Sequence, residues 1–298
     1  MTKRMLLALM ILCLSIGLVL ILNPMDILDQ QKSERPTMIR IGVLPDETEA
    51  KLRERYLPLF QHLESAVGLK TELVVPKSYS HLLELFSQNQ VDIAYFGGLT
   101  FLKAHKQLGA APMVMRDTDL RFRSYFLARS DRIEKTIHDF KGQRLAFGAK
   151  LSTSGHLMPR HFLQTKGIVP ETYFSEIKFS GAHDKTGFLV RDGMVDLGVA
   201  NASIIDSMFS DGQLSKTNVQ IIWKTPPYPD YVWAANKGLG AEVRNSLIQA
   251  FLQLSPTDEP DTAILNKLHA GGVLPASLDD FQELSTIAES LGMLDRKS

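Results

Sequence analysis

A run of three hydroxyl-bearing residues carries the clearest chemistry in the sequence. Ser152, Thr153 and Ser154 stand side by side, ahead of Gly155, between an apolar stretch and a segment with a helical pattern. At the start of a helix, such hydroxyls lie beside backbone N–H groups that have no partner within the helix, at the positive end of its dipole. The run therefore indicates a seat for an anion. The alternative is ordinary capping of the helix by serine or threonine.

Two further residues have side chains suited to holding an anion. His183 follows a predicted strand, and its ring can donate a hydrogen bond or gain charge as an anion arrives. Tyr95 ends another predicted strand, just before Phe96-Gly97-Gly98, where the backbone can approach a ligand closely. The alternatives are a surface histidine that stabilises the next helix, and a core tyrosine with its hydroxyl at the surface.

Catalytic and metal-binding interpretations have less support. Ser154, His183 and Asp184 are the residue types of a hydrolase triad, but no Gly-x-Ser-x-Gly elbow holds the serine. The adjacent His183 and Asp184 would also point apart on a regular element. The eight histidines show no metal-ligand spacing on one element. We therefore expect neither enzymatic activity nor a metal or other cofactor.

Alternating strands and helices position these candidates. From residue 38 onward, short β-branched runs alternate with helical stripes, which predicts an α/β fold with a largely parallel sheet. In such sheets ligands gather at the carboxyl ends of the strands, where Tyr95 and the 152–154 run are expected. Pro58 should kink or divide the helix predicted at 49–67. The other main predictions are strands at 38–44, 71–75, 91–95, 113–115, 124–128, 144–147, 195–200, 219–223 and 231–235, and helices at 80–87, 99–108, 185–192, 202–209, 243–254 and 279–291.

Length, charge and cysteine content limit the class of protein. A chain of 298 residues exceeds the size at which one hydrophobic core usually stops growing, so two lobes or domains are expected. The 33 basic and 33 acidic side chains balance, and the chain therefore lacks the basic character that nucleic-acid binding requires. Cys13 is the only cysteine, so no disulfide is expected in the exported part of the chain.

The N-terminal segment has the pattern of a membrane anchor. Residues 5–22 carry no charge and follow Lys3 and Arg4. As a helix this run would span about 27 Å, close to the hydrocarbon thickness of a bilayer, and the basic flank predicts that the rest is exported. A signal anchor or signal peptide is therefore expected within residues 1–25, and the uncleaved anchor is preferred because no Ala-x-Ala pattern follows. A polar tether over residues 26–37 would connect it to the folded part.

Five segments, taken together, resemble the periplasmic substrate-binding proteins of phosphate, phosphite and phosphonate uptake systems. The resemblance covers residues 38–254 in a consistent order. Ser-Thr-Ser-Gly alone is a weak signal, whereas the ordered set is specific. The segments are Asp92-Ile93-Ala94-Tyr95-Phe96-Gly97, Ser152-Thr153-Ser154-Gly155-His156-Leu157 with Pro159, Gly181-Ala182-His183-Asp184, Gly193-Met194-Val195-Asp196-Leu197-Gly198, and Pro226-Pro227-Tyr228-Pro229.

The resemblance implies a two-lobed architecture. In that family, which has the type II periplasmic-binding-protein fold, two α/β lobes are joined by two crossing strands and clamp the ligand in the cleft between them. Residues 38–125 and 229–298 would form lobe one, and residues 126–228 would form lobe two. Closure of the lobes about a hinge is the expected motion.

The resemblance also implies a function and a location. An extracytoplasmic solute-binding protein is expected, which captures a phosphonate, phosphite or phosphate and delivers it to an ABC permease in the inner membrane. It would be periplasmic and tethered to that membrane by the N-terminal segment. The alternative is a membrane-tethered sensor of the same fold that signals to a kinase-type partner.

The family's anion site maps onto particular residues of this chain. It comprises the 152–154 run with its backbone N–H groups, His183, and Tyr95 from the facing lobe. Tyr125, on the first crossing strand, is expected to line the cleft, with burial in the hinge as the alternative. An aminoalkyl substituent would need a carboxylate for its ammonium group, and Asp230 in the second crossing segment is the first candidate. The other candidate carboxylates are Asp46, Glu47 and Asp196.

Overall fold

The computed structural model describes residues 36–294 of the chain. The predictions for Cys13, for the apolar run at 5–22 and for nearly all of the tether at 26–37 lie outside the described residues. Within the described part of the chain, no helix combines the length and apolar character needed to cross a membrane.

Residues 36–294 form eleven strands in two sheets, accompanied by ten α-helices. In chain order the strands are β1 Met38–Val43, β2 Lys70–Val74, β3 Ile93–Phe96, β4 Ala111–Arg116, β5 Ser124–Arg129, β6 Arg144–Phe147, β7 Glu176–Phe179, β8 Leu197–Asn201, β9 Val219–Lys224, β10 Val232–Ala235 and β11 Val273–Pro275. The α-helices are α1 Glu49–Val67, α2 Tyr79–Ser87, α3 Gly98–Leu108, α4 Met158–Thr165, α5 Pro170–Tyr173, α6 His183–Arg191, α7 Ala202–Ser210, α8 Ala241–Leu252, α9 Glu259–Lys267 and α10 Gln282–Ser290. Short 3₁₀ turns lie at Asp117–Arg121, Ile137–Phe140 and Asp279–Phe281, and a π-helical turn at Thr153–Leu157 runs directly into α4.

Lobe one is built on a six-stranded sheet in the order β11-β4-β10-β3-β1-β2. Strand β1 pairs in parallel with β2 and β3, whereas β10 lies antiparallel between β3 and β4. Because β10 runs in the opposite direction, its start lies at the same edge of the sheet as the ends of β1 and β3. The residues that follow β1 and β3 therefore meet those that precede β10.

Lobe two is built on a five-stranded sheet in the order β7-β6-β8-β5-β9. Strand β6 is parallel to β7 and β8, and β5 is antiparallel to β8 and β9. The ends of β6, β7 and β8 consequently share one edge with the start of β5. This edge faces the corresponding edge of lobe one, since the His183 N–H after β7 donates to the Asp46 carbonyl after β1 at 3.0 Å.

Two chain segments connect the lobes, one between β4 and β5 and the other between β9 and β10. They pair where Phe122 and Tyr228 exchange backbone hydrogen bonds of 2.9 and 3.0 Å. This pair lies close to the two expected crossing points. The exact lobe boundaries, at residues 125 and 229, stay a prediction.

Strand β5 illustrates how the core of lobe two is packed. Tyr125 and Leu127 belong to one buried apolar cluster, and Phe126 and Ala128 belong to another. Successive side chains of a strand point to opposite faces of the sheet, so each face of lobe two has its own core. Lobe one instead contributes most of a single large cluster of buried side chains, which also includes Ala149, Leu157 and Met158 of lobe two.

Helix α1 shows why the predicted elements form and which of the two expected effects of its proline is absent. Leu52, Tyr56 and Phe60 lie on its buried face, and Gly68 ends it in the left-handed conformation with φ of 69°. The helix continues without a break through Pro58, so the expected division does not occur. Burial of apolar side chains on both sides of the proline outweighs its cost of about 3 kcal/mol.

Candidate functional site

The hydroxyl run lies buried between the two lobes. Ser152, Thr153 and Ser154 are each no more than 1% exposed. Ser152 Oγ accepts a hydrogen bond from the Gly155 N–H at 2.9 Å, and so caps the helical turn. Thr153 Oγ1 accepts from the Leu99 N–H of lobe one at 3.0 Å. Ser154 Oγ is buried without a hydrogen-bond partner among the described residues.

These three residues therefore have different hydrogen-bonding roles. Capping, the alternative considered from the sequence, describes Ser152. It does not describe Ser154, whose hydroxyl makes no hydrogen bond of ordinary geometry within residues 36–294 and lies near the Asp230 carboxyl, where it lowers the pKa of that group. Buried polar atoms are rarely left unpaired in native proteins, and an unpaired one in a cleft is a place for a ligand atom.

Two glycines hold the hydroxyl run against the end of β6. The Gly148 N–H donates to the Gly155 carbonyl at 2.8 Å. A Cβ atom on either glycine would lie 3.0 Å from the Cα atom of the other. From the start of β5, Ser124 Oγ donates to the Ser154 carbonyl at 2.6 Å. The close backbone approach thus requires glycine at both positions and fixes the turn that presents the hydroxyls.

Asp230 joins the hydroxyl run from the lobe-one side. Its side chain is completely buried, and Oδ1 accepts a hydrogen bond from the Gly98 N–H at 3.0 Å, at the start of α3. Oδ2 has no partner among the described residues. Burial raises the pKa of this carboxyl to about 7, although the Gly98 N–H and the neighbouring hydroxyls of Thr153 and Ser154 act in the opposite direction. Asp230 therefore lies beside the hydroxyl run, which is the expected seat of the anion.

His183 begins α6 and is completely buried. Its Nδ1 accepts a hydrogen bond from the Asn201 N–H at 3.1 Å, so a neutral ring carries its proton on Nε2. Nε2 lies 3.4 Å from the Tyr79 hydroxyl oxygen and 3.7 Å from Asp46 Oδ1. Burial lowers the pKa of His183, against the opposing effect of Asp46 and Asp184. The ring is a neutral donor that points into the cluster.

Asp46, Tyr79, Tyr231 and Asn201 complete this cluster. Asp46 accepts hydrogen bonds from the Tyr79 hydroxyl and, at 2.9 Å, from the Tyr231 hydroxyl. Asn201 Nδ2 of lobe two donates to the Tyr231 oxygen at 3.1 Å. The sequence suggested Asp46 only as one candidate carboxylate, and it did not suggest the other three. The available signals were the position of Tyr231 beside Asp230 and that of Tyr79 directly after a serine that caps α2.

Tyr95 occupies a different place from the one predicted for it. Its hydroxyl donates to Asp119 Oδ2 at 3.1 Å, and its ring stacks between Tyr231 and Trp233, with centroid distances of 5.1 and 4.6 Å. Asp119 also forms a buried ion pair with Arg116. The structure thus places Tyr95 among the buried aromatics of lobe one, with its hydroxyl on Asp119, and its expected part in ligand binding stays a prediction.

Tyr125 and one candidate carboxylate, Asp196, also lie away from the cluster, and another candidate, Glu47, is paired with an arginine. The Tyr125 hydroxyl donates to Asp206 Oδ2 at 3.2 Å on α7, so it is not directed at the hydroxyl run. Asp196 is paired with Arg144 at 2.9 Å, beyond the opposite edge of the lobe-two sheet, where β6 begins. The fourth candidate, Glu47, forms an ion pair with Arg55 at 2.6 Å.

Two cavities lie on either side of the cluster and share Glu47. The first, of about 450 Å³, is lined by Arg55 of α1 and by Ser203 and Asp206 of α7. The second, of about 550 Å³, is lined by Tyr79, Lys150 and Asp184, among other residues. Within residues 36–294, no group of three histidine, cysteine or acidic side chains is placed to hold a metal ion.

Comparisons with known proteins agree on one family. A family model described as "ABC transporter, phosphonate, periplasmic substrate-binding protein" matches residues 41–281. The chain is 26% identical over 271 residues to a probable ABC transporter phosphite-binding protein, PhnD1, of Prochlorococcus marinus, which covers 87% of this chain and 91% of the relative. It is 28% identical over 281 residues to the phosphate-import protein PhnD of Mycolicibacterium smegmatis, covering 86% of this chain and 87% of the relative.

The solved structures give the same picture of the fold. The structure of PhnD1 from Prochlorococcus marinus in complex with methylphosphonate superimposes with a TM-score of 0.82 at 26% sequence identity. The match covers 87% of this chain and all of the other. A binding-protein component of an ABC phosphonate transporter from Pseudomonas aeruginosa gives a TM-score of 0.80 at 17% identity, covering 88% of each chain. The two-lobed α/β fold of this chain is therefore that of periplasmic binding proteins.

Proposed function

This chain belongs to the family of periplasmic substrate-binding proteins of phosphonate ABC transporters, and on that basis we propose that it captures a phosphorus oxyanion. The ligand is a phosphonate, phosphite or phosphate, bound in the cleft between the lobes. Closure about the two connecting segments encloses it, and an ABC permease in the inner membrane receives it. Relatives named for phosphite, phosphate and phosphonate binding support this range of ligands.

The observation that carries the ligand class is the buried hydroxyl of Ser154. It makes no hydrogen bond of ordinary geometry with the described residues, and it lies near the Asp230 carboxyl, whose Oδ2 makes none either. A phosphorus oxyanion offers several oxygens, so one oxygen can accept from a hydroxyl while a protonated one donates to a carboxylate. Ser154 and Asp230, both completely buried, offer the two kinds of partner.

Each remaining group then has a defined part in binding. Ser152 and Thr153 contribute hydroxyls and the backbone N–H groups of a helix start, which favour negative charge. His183 contributes its Nε2–H. We propose that Asp230 contacts an oxygen of the ligand, a different part from the ammonium partner expected from the sequence. Tyr125 is not part of the proposed ligand set.

Direct bonds between the lobes support a closing motion. Thr153 of lobe two accepts from Leu99 of lobe one, and His183 of lobe two donates through its backbone to Asp46 of lobe one. Both contacts are made by residues of the proposed site or their neighbours. Ligand contacts and lobe contacts are therefore formed together, which couples binding to closure.

Titration calorimetry of the exported part against a panel of anions tests this function. Phosphate, phosphite, methylphosphonate and aminoethylphosphonate form the panel, with sulfate as a control anion that carries no proton at neutral pH. Saturable one-to-one binding of at least one phosphorus anion, with sulfate excluded, is the expected result. If no member of the panel binds, the proposed ligand class is wrong.

Membership of the family indicates a periplasmic location, and the N-terminal segment indicates how the chain is held there. We propose that the apolar run at 5–22 remains uncleaved and tethers this periplasmic protein to the inner membrane. Such a tether also favours a second function, a sensor whose closed form contacts a kinase-type partner. Mass spectrometry of the exported protein tests both ideas, because a mature chain that begins after residue 22 has no tether.

A further inference from the structure

Asp46 lies where polar hydrogens of both lobes converge. Its carboxylate accepts from the Tyr79 hydroxyl and, at 2.9 Å, from the Tyr231 hydroxyl. The proton-bearing Nε2 of His183 lies 3.7 Å from the same carboxylate. The Asp46 side chain is itself buried, with 7% of the residue exposed. One buried carboxylate thus takes hydrogen bonds that would otherwise be available to a bound anion.

Both tyrosine protons are consequently directed away from the hydroxyl run. A tyrosine hydroxyl has a single proton to donate, and its remaining capacity is to accept. Tyr79 donates its proton to Asp46. The Ser152 hydroxyl neighbours the Tyr79 oxygen and opposes the rise that burial causes in the Tyr79 pKa. Tyr231 donates to Asp46 and accepts from Asn201. Around Asp46, the tyrosines offer a ligand acceptors and no free donor.

We infer that Asp46 is a specificity-determining residue, which makes the site favour phosphorus oxyanions that retain an acidic P–O–H proton over fully ionised ones. The inference rests on the proposed function. A ligand with a P–O–H group can donate to the ionised carboxylate of Asp230, whose Oδ2 has no partner among residues 36–294. A fully ionised ligand has only acceptors to offer this carboxylate, and it adds a second negative charge beside Asp46.

The charged groups packed around Asp46 do not cancel its charge. Arg55 is committed to Glu47 at 2.6 Å. His183 is kept neutral by burial, which lowers its pKa. Asp184 adds a further acidic group at the start of α6. The titratable groups that face Asp46 are Glu47 on its own loop, Arg55 and Tyr56 on α1, Tyr79 on α2, His183 and Asp184 on α6, and Tyr231 before β10.

The substitution Asp46→Asn tests the inference, because it keeps the size of the side chain, removes its charge and releases at least one tyrosine proton. Calorimetry with methylphosphonate is run across the pH range in which this ligand changes from monoanion to dianion. Wild-type affinity is expected to fall as the dianion replaces the monoanion. The loss of affinity over the same pH range is expected to be about tenfold smaller in Asp46→Asn than in the wild type.

The matched control is Asp184→Asn. It removes the same charge from a neighbouring buried position, but Asp184 accepts from the Lys185 N–H and from no tyrosine. The pH dependence of its affinity is expected to follow the wild type. If Asp184→Asn flattens the profile as much as Asp46→Asn does, the effect is one of overall charge and the inference is overturned.

A measurement on the unmodified protein does not depend on how well the variant folds. At a pH where free methylphosphonate is mainly a dianion, binding of the protonated form requires uptake of about one proton per ligand, measured by calorimetry in buffers of different ionisation enthalpy. Binding without uptake overturns the inference alone. Proton uptake of equal size in folded Asp46→Asn would assign the proton to another group and overturn the inference as well. Failure of the wild type to bind any anion of the panel would instead overturn the proposed function.

Discussion

The Leu99 N–H of lobe one donates to Thr153 Oγ1 of lobe two at 3.0 Å. This bond joins the start of α3 to the hydroxyl run, so the same threonine contributes to closure and to the proposed anion seat. Asp230 occupies the neighbouring N–H of the same helix, that of Gly98. The start of α3 is therefore satisfied by protein groups, and the hydroxyl run and His183 remain for the ligand.

Removing the hydroxyl of Ser154 should weaken binding without weakening the fold. Ser154→Ala is expected to lose about 1 to 3 kcal/mol of ligand affinity, because a charged acceptor loses a buried donor. Ser152→Ala is the comparison: Ser152 also caps the Gly155 N–H, so this variant should lose binding and in addition about 1 kcal/mol of folding stability. Calorimetry and urea unfolding check both. Equal stability losses in the two variants would contradict the roles assigned to them.

Asp230 should make the ligand-free protein less stable as the pH rises. Burial raises the pKa of this carboxyl from its ordinary value of 3.8 to about 7 in the folded protein. Below about pH 4 the carboxyl is neutral whether the chain is folded or not, so its stabilising effect is complete there. Between about pH 4 and 7 the unfolded chain releases the proton and the folded chain does not, so that effect is lost as the pH rises.

The variant Asp230→Asn removes this dependence. Its stability relative to the wild type is expected to increase between pH 4 and pH 8 by up to about 4 kcal/mol. The amide oxygen can still accept from the Gly98 N–H, so the local backbone is kept. Urea unfolding of both proteins without ligand at the two pH values gives the difference. A difference that does not change with pH would show that Asp230 is ionised in the folded state throughout.

Tyr95 should matter for stability and not for the ligand. Tyr95→Phe removes one donor to Asp119, which keeps its bonds to Arg116. About 1 kcal/mol of stability should be lost, and the affinity for phosphorus anions should stay within about twofold, a difference of less than about 0.5 kcal/mol. Tyr79→Phe is the matched control, since its hydroxyl lies in the cluster and its loss should change the affinity. A tenfold weaker ligand affinity in Tyr95→Phe would return this residue to the ligand set.

A partly exposed ion pair joins α1 of lobe one to the end of α7 of lobe two. Lys51 Nζ of α1 lies 2.7 Å from Asp211 Oδ2 at the end of α7. Lys51→Glu should weaken ligand binding by no more than about 1 kcal/mol, because the pair is largely exposed to solvent, and the effect should shrink at high salt. Lys70→Glu is the control, since Lys70 pairs within lobe one with Glu64. Calorimetry at low and high sodium chloride measures the ligand affinity of both variants. Equal effects of the two substitutions would show that the Lys51–Asp211 pair does not stabilise the contact between the lobes.

The sequence was sufficient for elements whose capping and apolar pattern agree. Helix α1 was predicted at its observed bounds because its buried stripe is regular and Gly68 ends it. Helix α9 was missed, since its nine residues include Pro260 and its buried residues are limited to Ile264 and Leu265. Strand β11 was missed because its three residues are half-buried or exposed and show no alternation. Short elements that depend on tertiary packing leave little pattern in the chain.

The site was predictable where neighbours in the sequence act together. Ser152, Thr153 and Ser154 lie on one turn, so a local motif was enough to predict them. The group formed by Asp46, Tyr79 and Tyr231 comes from three distant segments of lobe one, which meet only when β10 pairs with β3. The partner of the Tyr95 hydroxyl was not predictable in this way, because the Arg116–Asp119 pair that binds it lies more than twenty residues further along the chain.

The positions in the chain of the strands that form each sheet have a consequence for the order of folding. Every strand of lobe two lies in one continuous segment, from Ser124 in β5 to Lys224 in β9, whereas the lobe-one sheet needs β10 and β11 from beyond that segment. Contacts of lobe one therefore close longer loops and form more slowly. A chain emerging from an export channel, amino terminus first, releases all of lobe two before lobe one has its last strands. Lobe two, which forms half of the binding cleft, can therefore complete its sheet before β10 and β11 of lobe one have been exported.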